Sequence, residues 1–264
     1  MLTIEAVVIT DTGIVRTHNE DSVTYVKPND PDEFSSHGVL ALVADGMGGH
    51  NAGEHASKLA VDTITRSYFR SAEEPRQALL NAIYDANREI YRASLASTAW
   101  KGMGTTCVVL AICNDEAWWA WVGDSRLYLL RDGMVYRLTE DHTVVQDMVR
   151  QGWMTQEEAH AHHDRNVLER AIGTRHTVKA DASDVPIRLC AGDRLLLCTD
   201  GLHDLVHDEE MAGWAGGAQV SESAEKLIQA ALARGGHDNI SVILIEAKEE
   251  AAVRLPATKE HKLV

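Results

Sequence analysis

The chain has 264 residues, 45% of them hydrophobic, which is enough to bury one sizeable core, and no Pro-rich, Ser-rich or repeated stretch divides it. A formal charge of −15 without any run of Lys or Arg excludes nucleic-acid binding by phosphate neutralisation, yet allows a phosphorylated ligand held through divalent cations. The N-terminus lacks a basic segment followed by a long apolar run and no stretch is long enough to span a bilayer, so a cytoplasmic protein away from membranes is expected.

Leu2 to Thr10 reads as a first strand, Ser22 to Val26 as a second and Gly38 to Ala44 as a third, with Pro28 to Ser36 an exposed polar loop. The period then changes to helical over Ala52 to Phe69 and Pro75 to Leu95, the latter preceded by Ser71 and Glu74 in capping-box spacing. Strand character returns at Thr105 to Ile112, Ala117 to Val122, Arg126 to Leu130 and Met134 to Leu138, where Asp132-Gly133 marks a hairpin turn. Short helices are predicted over His142 to Gly152 and Thr155 to His162, the second opened by a Thr155/Glu158 capping box. Strands at Val178 to Ile187 and Asp193 to Thr199, a helix from Ser221 to Ala233 and a strand from Asn239 to Glu246 complete a single domain over residues 1–246. Residues 247–264 are charged, lack periodicity and are expected to be a disordered tail. Helices falling in pairs between groups of strands predict packed layers of antiparallel sheet and helix.

Asp45 carries the strongest chemical signal. It ends the apolar run Val39 to Val43 and opens the glycine-rich turn Asp45-Gly46-Met47-Gly48-Gly49-His50, so a carboxylate sits at a strand end, a rigid place for a metal ligand. The bland alternative is an Asp-Gly turn. The pattern returns where Arg194 to Thr199 breaks at Asp200-Gly201, and further acids stand beside predicted strands at Asn19-Glu20-Asp21, Gly123-Asp124-Ser125 and Asp238-Asn239. Arg16 lies three residues before Asn19 and offers a fork of donors suited to a phosphate; its alternative is a surface salt bridge to Glu20. For Asp124 the alternative is an Asx turn capping Arg126. Cys107, Cys113, Cys190 and Cys198 form no C-x-x-C pair and read as buried reduced thiols. His160, His162 and His163 read as surface histidines, Thr105 and Thr106 as strand residues packing under the site, and Trp118, Trp119 and Trp121 as core and sheet-face residues. His50, Glu54 and His55 match neither common zinc-helix spacing. Asn239-Ile240-Ser241 fits a glycosylation sequon by coincidence.

Together, Arg16-x-x-Asn19-Glu20-Asp21, Ala44-Asp45-Gly46-Met47-Gly48-Gly49-His50, Gly104-Thr105-Thr106, Gly123-Asp124-Ser125-Arg126, Asp200-Gly201 and Asp238-Asn239 resemble the bacterial metal-dependent protein phosphatases of the protein phosphatase 2C (PPM) type, over about Thr3 to Glu246. The resemblance implies an α+β fold, a four-layer α-β-β-α sandwich of two antiparallel sheets flanked by helix pairs, with two Mg²⁺ or Mn²⁺ ions at one end. By position it implies Asp45 as bridging ligand, Gly46 as carbonyl ligand, and Asp21, Asp200 and Asp238 as direct or water-mediated ligands. Asp124 matches the residue that helps hold a loosely bound third ion, and Glu20 orients metal-bound water. The implied activity is hydrolysis of phosphoserine and phosphothreonine monoesters on proteins by a metal-activated water, Arg16 holding the phosphoryl oxygens. Implied partners are bacterial serine/threonine kinases and their substrates, acted on by a monomer. Where eukaryotic relatives carry a histidine directly after Asp-Gly this chain has Met47, so the leaving-group proton comes from His50 or from metal-bound water. The segment from 140 to 173 is expected to be a variable flap that sets substrate choice. The rival reading is a catalytically weak relative that binds phosphoproteins.

Overall fold

A computed structural model describes residues 2–48, 51–213 and 219–250. Five strands, β1 (Leu2–Asp11), β7 (Arg126–Arg131), β8 (Met134–Arg137), β11 (Arg194–Cys198) and β12 (Ile240–Glu249), form one antiparallel sheet in the order β1-β12-β11-β7-β8. The second sheet orders β10 (Ile187–Arg188), β6 (Glu116–Val122), β5 (Cys107–Cys113), β3 (Val39–Met47) and β2 (Asp21–Val26), with β4 (Gly104–Thr105) on β3 and β9 (Asp181–Ala182) on β6.

The layers follow from side-chain alternation along buried strands. On β3, Val39, Ala41 and Val43 face Leu127, Leu195, Leu197 and Ile243 of the other sheet, forming the inter-sheet core. Leu40 and Leu42 point the opposite way, onto Ala56, Ala60 and Ile64 of α2 (Asn51–Phe69) and Leu79, Ile83 and Ile90 of α3 (Pro75–Ala96). On the far side Leu196, Val242 and Leu244 pack against Val220, Ala224, Leu227 and Ile228 of the C-terminal helix Val220–Ala233. This is the expected α-β-β-α sandwich. Trp119 and Trp121 join the inter-sheet core, and Trp118 packs on the α2/α3 side.

Several local expectations are corrected. The third strand does not give way to a turn at Asp45: β3 continues to Met47, because Gly46 and Met47 pair with Thr105 and Gly104 of β4. The stretch read as a polar loop contains α1 (Pro31–His37), started by Asp30, whose Oδ1 accepts the N–H groups of Asp32 (2.9 Å) and Glu33 (3.0 Å), with Pro31 in the first turn. The Ser71/Glu74 box does not form: Ser71 Oγ accepts Glu73 N–H at 3.2 Å, and α3 starts at Pro75 without a side-chain cap. The strand expected from Val178 to Ile187 survives only as β9 and β10, because Pro186 has no N–H to continue the ladder. β12 runs to Glu249, opposite Leu2, three residues into the segment expected to be a disordered tail; residues 251–264 lie outside the described ones. Cys190 is exposed, unlike the other three cysteines, and all four are free.

From 140 to 173 the chain carries α4 (Val144–Arg150) and α5 (Gln156–Ala161), the latter with its expected capping box. Its base is closed by Val144 N–H to Val167 O (2.9 Å) and Glu169 N–H to His142 O (2.8 Å). After β11 come two helices too short for a periodic signal, α6 (Asp200–His203) and α7 (Asp208–Ala212), and then the C-terminal helix, α8.

Candidate metal centre

The antiparallel register of β2 and β3 sets Asp21 directly opposite Asp45. Side chains so paired start about 5 Å apart at Cβ, close enough for two carboxylates to share a cation. Asp45 is held on both backbone groups: its N–H donates to Thr106 Oγ1 (3.0 Å), and its carbonyl accepts from Thr106 N–H and Thr105 Oγ1, both at 2.8 Å. Thr106 Oγ1 also lies 2.7 Å from Ser125 Oγ, next to Asp124, so the threonines support the site from beneath.

Glycine at 46 is a steric requirement. A Cβ there would stand 2.2 Å from Gly53 O and 2.5 Å from Glu20 O. Gly46 N–H donates to Glu20 O at 3.1 Å, and Ser57 Oγ donates to the same carbonyl at 2.6 Å, locking the Glu20-Asp21 corner against α2.

Asp200 opens α6 directly after β11, and Asp238 precedes β12. Arg16 reaches Asp238 Oδ2 at 2.8 Å rather than pairing with Glu20. Asn239 joins these segments: its Oδ1 accepts Glu20 N–H (2.8 Å), and its Nδ2 donates to Thr12 O and His18 O, both at 2.9 Å. Asp124 lies in the β6–β7 turn, where Arg126 pairs bidentately with Asp141 at 3.0 and 2.7 Å instead of being capped by Asp124. Behind it His203 lies 3.0 Å from Asp124 O through Nε2. Burial and the nearby Arg126 charge push His203 down to about 3, so the neutral ring donates this bond.

A cleft of about 710 Å³ brings together Arg16, Glu20, Asp45, Gly46, Asp124, Asp200 and Asp238, with Asn166, Val167 and Leu168 of the 140–173 segment forming a wall. Asp21 lies under its floor, Oδ2 accepting from Thr199 Oγ1 (3.0 Å) and Ser241 Oγ (2.7 Å). Crowding of buried acids raises their proton affinity. Burial, then the charges of Asp21 and Asp200, holds Asp45 well above the usual carboxylate range; burial, then Asp124 and Asp204, does so for Asp200. Asp21 is pushed up to about 6, by burial first, and Asp124 to about 7, by burial and then Asp141.

This arrangement fits hard divalent cations. Among the described residues Asp21 Oδ1 and Asp200 Oδ1 are buried without a hydrogen-bond partner, and such oxygens are costly unless something positive meets them. The carboxylates that line the cleft and the Gly46 carbonyl are hard oxygen donors, a set that suits Mg²⁺ or Mn²⁺ over zinc.

His50 lies outside the described residues. His55 stacks on Trp100, with ring centroids 4.1 Å apart, away from any zinc-helix arrangement. His160 and His163 are exposed, as expected, and His162 is half-buried; the ligand atoms of the consecutive residues His162, His163 and Asp164 lie within 4.8 Å of one another. Sequence reading missed Thr199 and Ser241 as donors to Asp21, Asn239 as the clamp, and Asn166 to Leu168 as the cleft wall. In the sequence Ser241 shows as a residue of the last predicted strand and the end of a coincidental sequon, neither of which points to Asp21.

A model of the protein phosphatase 2C family matches residues 16–235. The chain is 38% identical over 245 residues to the serine/threonine phosphatase stp of Listeria monocytogenes serotype 4b (strain F2365), covering 90% of this chain and 93% of that protein. It is 40% identical over 240 residues to the serine/threonine protein phosphatase PstP of Mycobacterium tuberculosis, covering 89% of this chain but 43% of that longer protein. Among solved structures, a serine/threonine phosphatase of S. agalactiae superposes with a TM-score of 0.84 at 33% identity, over 92% of this chain and 99% of that one. The catalytic domain of PstP, in complex with two manganese ions, superposes with a TM-score of 0.80 at 35% identity, over 94% and 100%.

Proposed function

The chain belongs to the protein phosphatase 2C family and is a metal-dependent protein-serine/threonine phosphatase, and from that premise we propose that its cleft holds two Mn²⁺ or Mg²⁺ ions. Asp45, Asp21, Asp200, Asp238 and the Gly46 carbonyl would hold them, with Asp124 serving a more weakly bound third. The observation that carries this reading is the pair of partnerless buried oxygens on Asp21 and Asp200 facing the same acid cluster as Asp45. When bound, the ions supply charge neutralisation for the phosphoryl group and a water made nucleophilic at neutral pH.

The remaining roles belong to the protein's own side chains. Arg16, exposed at the rim, offers its guanidinium to the phosphoryl oxygens, and Asp238 fixes its direction through the 2.8 Å contact. Glu20 stands against Gly53, where an added Cβ would meet its Oε2 at 2.4 Å, and orients water within the cleft. From the sequence alone, His50 is one of two candidates for proton delivery to the leaving oxygen, the other being water held in the cleft. Uncatalysed phosphomonoester hydrolysis is slow enough that the site must lower the barrier by on the order of 20 kcal/mol or more. Substrates are phosphorylated proteins, and the physiological role is to oppose bacterial-type serine/threonine kinases. Among the described residues no helix is long and apolar enough to cross a membrane.

The test is phosphate release from a phosphothreonine peptide with and without Mn²⁺, for wild type and Asp45→Asn. Strict metal dependence and a loss of at least about a thousandfold in kcat/KM for the variant are expected. Metal-independent turnover, or near-normal activity of Asp45→Asn, would remove the basis of the assignment.

A further inference from the structure

Beside the catalytic cleft lies a second cavity, of about 350 Å³, lined by Arg170, Thr174, Arg175, Thr177 and Lys179, with Glu169 on one wall. Its cations are unequally occupied. Arg170 is committed to Asp181 (3.0 Å), with Glu169 3.8 Å away. Arg175 and Lys179 are exposed, and neither side chain has an ionic or hydrogen-bonded partner among the described residues. Thr174 Oγ1 donates to Ala171 O at 3.1 Å, whereas Thr177 Oγ1 has no hydrogen-bond partner among the described residues. What distinguishes Arg175 and Lys179 from other exposed cations of the chain is that both line one cavity together with the Thr177 hydroxyl.

The loop that presents them is anchored at its start, over residues 173–176, to α3. Asn87, buried on α3, donates through Nδ2 to Arg175 O (3.2 Å) and His176 O (3.1 Å) and accepts Gly173 N–H on Oδ1 (2.8 Å). Gly173 has φ +87°, and a Cβ there would stand 2.1 Å from Ile90 Cγ2, so the backbone is pressed onto α3. A fixed backbone lowers the ordering cost of binding.

Strand register places Ile172, which lies between the pocket residues Ala171 and Thr174, relative to Gly46 of the catalytic cleft. Gly46 pairs with Thr105 of β4, and Thr105 bridges to Ile172. Two strand spacings are roughly 10 Å, the reach of about three residues of extended peptide. Direct packing agrees: a Cβ on Gly104 would meet Thr174 Cγ2 at 2.6 Å and Met47 Cγ at 3.5 Å, and Met47 lines the catalytic cleft.

We propose that this pocket is an anion subsite that takes a second phosphorylated side chain of the same substrate, about three residues from the phosphoserine or phosphothreonine being hydrolysed. The proposal rests on the phosphatase reading of the neighbouring cleft. A phosphate dianion matches two free cations, and the fork of Arg175 can hold two of its oxygens while Lys179 and Thr177 hold the third. A carboxylate brings half that charge and binds more weakly.

The experiment uses phosphothreonine peptides carrying alanine, glutamate or a non-hydrolysable phosphonate analogue of phosphoserine at single positions up to about five residues either side. With Mn²⁺ and low salt, the phosphonate should raise kcat/KM about tenfold at a position near three residues away, with glutamate giving less. The double variant Arg175→Glu/Lys179→Glu should erase this preference while leaving kcat/KM for a small aryl phosphate within about twofold. A preference that survives in the double variant, or no preferred position in wild type, overturns the proposal. So does inhibition by inorganic phosphate that the double variant escapes without any positional preference, which would assign the pocket to free phosphate. If wild type showed no Mn²⁺-dependent hydrolysis of the aryl phosphate, the failure would lie in the reading of the main cleft.

Discussion

Replacing Asp21 by asparagine should stabilise the metal-free protein while weakening metal binding. The Asp21 carboxyl is raised from 3.8 to about 6 by burial, with the Asp238 charge adding to the rise and the Ser241 and Thr199 hydroxyls opposing it. Because the folded value lies above the unfolded one, ionisation costs stability. That cost is absent below pH 3.8, grows from there to about 6, and is complete above. Two units at 1.36 kcal/mol each give about 3 kcal/mol at pH 8. An asparagine keeps an oxygen for Thr199 and Ser241 but carries no charge, so this cost disappears. For a chain of this length the gain corresponds to a rise in Tm of roughly 5–10 °C in EDTA at pH 8, and to almost none near pH 4. Saturating Mn²⁺ should reverse the order, since binding to the native state alone contributes about 3 kcal/mol at a hundred times Kd and the variant has lost a ligand. Thermal unfolding at the two pH values, with EDTA and with Mn²⁺, reads all four conditions. A metal-free variant that melts at or below wild type at pH 8, or gains equally at both pH values, would refute the account of Asp21 as a costly buried charge.

Asn239→Ala removes three hydrogen bonds to Glu20, Thr12 and His18, and should cost about 2–3 kcal/mol in stability. It should also raise KM for phosphopeptides, because the segment carrying Arg16 loses its anchor; denaturant melts and steady-state kinetics check both. Asp181 is lowered to about 2, chiefly by its hydrogen bond from His142 and further by Arg170, so its contribution is present above the unfolded carboxylate range and lost as pH falls through about 2. Asp181→Asn should therefore destabilise by roughly 1 kcal/mol at pH 7, a figure reduced for partial solvent screening, and the difference should vanish below about pH 2 in denaturant titrations.

Much of the fold was legible because its signals are local. The apolar run Val39 to Val43 marked a buried strand, although β3 continues through Asp45 and Gly46 to Met47 where β4 pairs with it, and Asp132-Gly133 marked the β7–β8 hairpin. Where local signals failed, the reason is also local: α6 and α7 are four and five residues long, less than the span over which helical period shows. The Asp30-Pro31 start of α1 was present in the sequence but obscured by a polar stretch with no buried face.

Residue order alone therefore determined the layered architecture, the Asp-Gly pair after β11 and the candidate acids for a hard cation, since period, turn chemistry and side-chain type reside in neighbouring residues. Tertiary structure alone decided which partners those groups have: Asp21 across from Asp45, Arg16 on Asp238 instead of Glu20, Ser241 and Thr199 on Asp21, and Asn239 joining both ends of the chain. Those pairings depend on sheet register and on the approach of segments more than a hundred residues apart, which no short window of sequence contains.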